Sequence, residues 1–174
     1  MRIAIYIVGT IGIIIFSWFF SIKDKRYHGI ARFFAFESIF VLLMFNIKGW
    51  FRDPFSLHQV VSWILLFGSV YPGIAGFLLL KRHGKSETSF ENTTNLVSNG
   101  IYKYIRHPLY CSLFMLGTGI MMKNPASLQL IAGAVNVIAV FFTAYIEEGE
   151  MKRRFGEDYR NYLRTTKMFI PFVL

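Results

Sequence analysis

Residues 99–122 read "NGIYKYIRHPLYCSLFMLGTGIMM". From Leu109 onward the stretch is apolar enough for lipid, but its first half crowds Tyr102, Lys103, Tyr104, Arg106, His107 and Pro108 together. Pro108 suits the first turn of a helix, where a missing N–H costs nothing. The helix is therefore expected to start near Pro108, with His107 close to its N-cap. Running only to about Met122, it covers roughly 21 Å at 1.5 Å per residue, against a hydrocarbon core of roughly 30 Å. So short a span leaves its N-terminus sunk below the membrane surface. Residues 101–107 must then line a recess, because irregular backbone at that depth has to face protein or water.

Four further apolar blocks surround this one, at 3–22, 33–50, 57–80 and 126–146. The chain of 174 residues is 54% hydrophobic, with mean hydropathy +0.44. Apolar residues in blocks of this length argue against disorder and against a soluble globule. The reading is one all-α membrane domain over residues 1–174: five transmembrane helices (3–22, 33–50, 57–80, 108–122 and 126–146) and a C-terminal amphipathic helix on the cytoplasmic side. The first block lacks a basic leader and a small-residue cleavage site, so it reads as a permanent span. Connections after spans one, three and five carry fourteen Lys and Arg residues, against four on the other face. That bias places the C-terminus in the cytoplasm and the N-terminus outside, in a plasma, inner or reticular membrane. The net charge of +9 thus points to membrane lipids rather than nucleic acid. One cysteine, Cys111, excludes an internal disulfide and a cysteine metal cluster, and no metal is expected.

The first three spans carry little legible chemistry. Glu37 lies inside span two, where a carboxylate is costly and marks either function or a hydrogen bond to a neighbouring helix. Arg32 points about 140° away from it on a helix. Tyr71-Pro72-Gly73 predicts a kink. His28, His58 and His83 read as surface histidines, and Cys111 as a small buried side chain. Gly117 and Gly119 read as sites of close helix contact. The polar stretch 81–100 is long for a link between spans. The tail from Glu147 reads as a continuation of span five, in which Met151, Phe155, Tyr159, Tyr162 and Leu163 share one helical face. That helix is expected to lie on the membrane or fold back over the bundle, with residues 169–174 docking again.

Two features meet at the cytoplasmic face. The N-terminus of span four offers partial positive charge and free N–H groups, joined by Arg106 and His107. Tyr102, Tyr104 and Tyr110 add aromatic faces for a flat ring or a cation. An interfacial belt of Tyr and Arg accounts for these residues as well. Span five, however, ends in Glu147-Glu148, followed by Glu150. Carboxylates there oppose the helix macrodipole and are costly if buried, unless a cation such as Arg106 or a bound ligand compensates. An anion-binding recess, aromatic faces and paired carboxylates together suit S-adenosylmethionine.

"LVSNGIYKYIRHPLY", followed about 35 residues later by "EEGEMKRRFGEDYRNYLRTTKMFIP", resembles the isoprenylcysteine carboxyl methyltransferase and phospholipid methyltransferase superfamily over about the last 80 residues. The resemblance implies an integral membrane methyltransferase that takes S-adenosylmethionine, releases S-adenosylhomocysteine, and binds the donor within residues 96–174. It implies donor-binding roles for Val97, Gly100, Tyr102, Tyr104, Arg106, His107, Pro108, Tyr110, Glu147 and Glu148, with the tail helix as cover. Carboxyl-methylating members carry an arginine one turn before the glutamate pair; here that place is Thr143, which weakens a prenylcysteine carboxylate as acceptor, although Arg153, Arg154 or Arg164 could substitute. The acceptor is expected to be a lipophilic small molecule or lipid entering from the bilayer. Methylation of a phospholipid ethanolamine headgroup is the alternative, and a non-catalytic membrane scaffold or transporter a third. No catalytic residue is assigned.

Overall fold

The computed structural model describes residues 2–24, 26–84 and 94–172. Five helices follow in order: α1 (Arg2–Phe20), α2 (His28–Asn46), α3 (Leu57–His83), α4 (Pro108–Met121) and α5 (Ser127–Thr165). Short 3-10 turns occupy Ile22–Asp24 and Gly100–Lys103. Among the described residues there is no strand, only an isolated parallel bridge between Ile105 and Lys167. α1, α2, α3 and α5 are long and apolar enough to cross a membrane; α4, with 14 residues, is the short one. Most of the expected polar stretch, residues 85–93, lies outside the described residues.

The helices pair antiparallel, held by small and polar side chains, as suits a medium in which apolar burial between helices gains little. Between α3 and α4, Ser62 donates to the Gly119 carbonyl (2.6 Å) and Ser112 to the Ser69 carbonyl (2.8 Å). Between α2 and α5, Asn136 donates to the Ala35 carbonyl at 3.1 Å. Gly117 of α4 faces the Asn136 side chain, which a Cβ would strike, so close contact is indeed its use. α1 lies on α2 by stacking Tyr6 on Phe40 and by a Thr10 hydroxyl bond to Glu37 Oε1 at 2.9 Å. Glu37 is thus bonded to the neighbouring helix and stands away from the recess. At the end of the bundle opposite that recess, Lys123 is 2% exposed. Its ammonium bonds Gln59 Oε1 at 3.0 Å and lies 3.4 Å from the Trp63 ring centre.

Several expectations shift. α2 begins at His28 rather than 33 and ends at Asn46 rather than 50, because Arg32 is accommodated inside the bundle by Ser21 and phenyl rings. α1 stops at Phe20, and the chain turns at once. Pro72, where a kink is expected, lies within α3. α5 continues past its apolar stretch, as expected of a tail that extends span five. It runs past the glutamates to Gly156, where φ 56 and ψ −123 break the helix before residues 157–165. No neighbour lies within 4 Å of a Cβ built there, so glycine is required by the backbone alone. The break turns the tail back over the bundle, and Phe169 packs among Ala35, Tyr110, Ala139, Val140 and Ala144.

Candidate functional site

α4 begins as its sequence dictates, with Pro108 in the first turn and His107 at the N-cap. The segment ahead of it is fixed by the returning tail. The Arg106 amide donates to the Lys167 carbonyl (2.8 Å), the His107 amide to Met168 (3.2 Å), and the Lys167 amide to Tyr104 (3.2 Å). The Arg106 guanidinium also donates to the Thr166 carbonyl. Tyr162, beyond the Gly156 break, donates to the Tyr102 carbonyl at 2.6 Å. Backbone donors expected to face an anion are therefore partly taken by the tail.

Arg106 and His107 meet the glutamates of α5. Arg106 Nε lies 2.8 Å from Glu148 Oε1. His107 Nδ1 is 3.6 Å from Glu147 Oε2, and its Nε2 is 3.4 Å from Glu148 Oε1. The glutamates stand inside a continuing helix, so the cost they carry is burial rather than an opposing helix end. Sequence reasoning missed the rest of the compensation, which comes from the α1–α2 turn. Arg26 Nε lies 3.3 Å from Glu150 Oε2 and its Nη2 3.7 Å from Glu147 Oε1. His28, expected at the surface, is fully buried and places Nδ1 2.9 Å from Glu150 Oε2. No local pattern marks this pairing across more than 120 residues of chain.

Burial works against the His107 imidazolium, but the Glu147 and Glu148 carboxylates outweigh it and raise the pKa above 6.5. Burial, helped by the Glu147 charge, pushes the Tyr102 phenol far above its ordinary range. His107 Nε2 is buried without a hydrogen bond of good geometry, an atom that a bound ligand or water can satisfy.

These groups line a cavity of about 290 Å³, near the lower end of ligand pockets, roughly 300–1,000 Å³. Of the residues anticipated, Val97, Tyr102, Arg106, His107, Pro108, Tyr110 and Glu147 line it, and Glu148 stands behind Arg106 and His107. Two do not reach it. Gly100 serves the backbone at φ +57, with Leu79 where a Cβ would go. Tyr104 is half exposed and packs on Phe172. The anticipated tail face contributes Met151, Phe155, Tyr159 and Tyr162. The apolar end is built by Phe16, Phe36, Phe77 and Leu113, with Arg32 among them; the first three helices thus supply more of the site than their sequence disclosed. Thr143 is buried and bonds the Ala139 carbonyl. Arg153, Arg154 and Arg164 lie on the exposed side of the tail. Among the described residues, no group of three or more His, Cys, Asp and Glu is placed to hold a metal ion.

The family profile described as phospholipid methyltransferase matches residues 57–158, from the start of α3 to just past the Gly156 break. The chain belongs to the phospholipid methyltransferase family. As in that family's setting, it is an integral membrane protein. The chain is similar to protein-S-isoprenylcysteine O-methyltransferase A of Arabidopsis thaliana, 36% identical over 89 residues, covering 49% of this chain and 44% of the relative. It is similar to protein-S-isoprenylcysteine O-methyltransferase of Dictyostelium discoideum, 31% identical over 136 residues, covering 70% and 54%. Methanethiol S-methyltransferase of Crocosphaera subtropica is 33% identical over 72 residues, covering 41% and 28%. The chain spans about half or less of the length of these relatives. The family match begins at α3, so Arg26, His28 and Arg32 are features of this chain outside the matched region.

Proposed function

We propose that this protein is an S-adenosylmethionine-dependent methyltransferase whose donor binds in the cavity between α4, α5 and the returning tail, and whose acceptor is lipophilic. The observation that carries the reading is one cavity with two chemistries. Arg106, His107, Glu147 and the tyrosines form a charged and aromatic end; Phe16, Phe36, Phe77 and Leu113 form an apolar end. The donor set fits the group: the Glu147 carboxylate and tyrosine faces suit a sulfonium, and Arg106 and the buried His107 Nε2 suit a carboxylate. Family membership and the names of the similar proteins support the same activity.

Bound there, the donor supplies a methyl group already activated on sulfonium. The protein's part is to hold, align and exclude water. Arg106 and His107, fixed by Glu147 and Glu148, keep the charged wall in place before any ligand arrives. Tyr162 and the Arg106–Thr166 contact hold the tail across the cavity. The charge bias along the sequence supports the charged end in the cytoplasm, with the apolar end open to acceptors from the bilayer. Titration of the purified protein with S-adenosylhomocysteine, followed by calorimetry or thermal shift, tests this reading. Binding in wild type and loss in Glu147→Ala is the expected result; no binding in wild type refutes it. The family match favours one second reading, methylation of a phospholipid amine. Labelled donor incubated with membranes then places label in phospholipid.

A further inference from the structure

Two segments far apart in sequence meet at the rim of the cavity: 102–106, ahead of α4, and the strap 166–172 that follows α5. The Lys167 amide donates to the Tyr104 carbonyl at 3.2 Å, and the Arg106 amide to the Lys167 carbonyl at 2.8 Å. Both lie in acid-free sequence: the chain has no Asp or Glu at 92–146 or at 159–174. Lys103, Arg164 and Lys167 are exposed there, and none of the three lines the cavity. Exposed apolar side chains stand beside them. Tyr104 is 49% exposed, Ile170 46% and Phe172 84%, and the Phe172 ring meets that of Tyr104 edge-on, 6.4 Å between centres. This patch reaches membrane depth. Phe169, within the strap, packs with Ala139, Val140 and Ala144 of α5, which lie roughly 4–12 Å from Glu147 into the apolar stretch of that helix.

We infer that the strap and Tyr104 form a docking surface for anionic lipid, and that this lipid tightens closure of the donor cavity. The inference rests on the methyltransferase reading only for the identity of the donor. Aromatic side chains settle in the headgroup layer, and basic ones beside them find lipid phosphate. Charge selects the occupant: three exposed cations with no acid in either segment favour an anionic headgroup over a neutral one, by an attraction that fades within about 10 Å. The same segment carries the effect to the cavity, because the strap that meets lipid is the one whose backbone fixes Arg106 and His107. Lipid and donor then favour one closed arrangement, so each raises the affinity of the other by the same factor.

The test places full-length protein in nanodiscs of phosphatidylcholine alone or mixed with phosphatidylglycerol. Calorimetry should find S-adenosylhomocysteine bound about five- to tenfold tighter in the mixed discs. Salt at about 1 M, where screening acts over roughly 3 Å, should remove most of that difference. In the triple variant Lys103→Gln, Arg164→Gln, Lys167→Gln the difference should vanish, with affinity in neutral discs within about twofold of wild type. Native mass spectrometry reads docking with no donor present: wild type released from mixed discs should retain phosphatidylglycerol over phosphatidylcholine. That preference should be lost in the triple variant and weakened in Phe172→Ser. Equal affinity in the two discs, a difference that survives the triple variant, retention untouched by either variant, or a second copy of the chain retained in place of lipid overturns the inference. If the triple variant does not fold, Lys103→Gln and Lys167→Gln decide it singly, each by losing part of the difference. Absence of S-adenosylhomocysteine binding in both discs sinks the methyltransferase reading instead, and lipid retention then decides the docking surface.

Discussion

Glu147, Glu148 and Glu150 each find a cation brought from elsewhere in the chain: Arg106 and His107 from the approach to α4, Arg26 and His28 from the approach to α2. Removing one partner of a buried pair leaves the other charge stranded, which costs roughly 3–5 kcal/mol. Arg106→Ala should cost stability of that order, read as a lowered melting temperature, and abolish donor binding. Pairing it with Glu148→Gln should recover part of the stability but none of the binding, as calorimetry and thermal melts on the four-member cycle would reveal. His107 gives the site a pH dependence. Its folded pKa is raised, so the stability contributed by the imidazolium is complete below the ordinary value near 6.5 and is lost as pH climbs through the folded value. Melting temperature measured from about pH 6 to 9 should therefore fall with rising pH, and His107→Gln should flatten the profile.

At the scale of elements, α5 is the helix that both holds the site and closes it, and Gly156 is where the two tasks divide. Alanine there gains no clash, only a backbone conformation that costs about 1–3 kcal/mol. Gly156→Ala should loosen the tail, seen as faster limited proteolysis near residues 160–165 and weaker donor binding, with the melting of the bundle little changed. Much of this element was legible. The spacing of Met151, Phe155, Tyr159 and Tyr162 marked the inward face, and Pro108 marked the start of α4. The R-H-P run and the glutamate pair marked residues that line the cavity proposed as the site or stand behind it. The contribution of α1 and α2 was not legible, because Arg26, His28 and Arg32 carry no periodicity or spacing that announces a partner so far away in the chain. A buried His28 looks like any histidine beside a turn until α5 is placed against it. Tyr104 misled for the opposite reason: Tyr102 and Arg106, two residues to either side, line the cavity, while its own ring packs on Phe172.

For the whole molecule, the two ends of the bundle do different work. The end opposite the cavity is closed by Lys123, held against Trp63 and Gln59. Lys123→Ala removes a desolvated cation–aromatic contact and strands a buried amide, a loss of about 2–4 kcal/mol. It should lower the melting temperature while leaving affinity for S-adenosylhomocysteine unchanged. The charge bias supports a cytoplasmic position for the cavity end, which labelling tests. In sealed vesicles of known sidedness, a cysteine at Lys103 in a Cys111→Ser background should be labelled from the cytoplasmic side, and one at Phe55 from the other; the reverse pattern would invert the bundle. The backbone bridge between Ile105 and Lys167 joins points that lie far apart along the chain, and it bears on biogenesis. A ribosome delivers the chain from one end, so α1 to α4 can be inserted in the bilayer while the strap that completes the cup is still in the exit tunnel. The pocket can therefore take its final form only after translation has passed Phe169, long after the helices that surround it are in place.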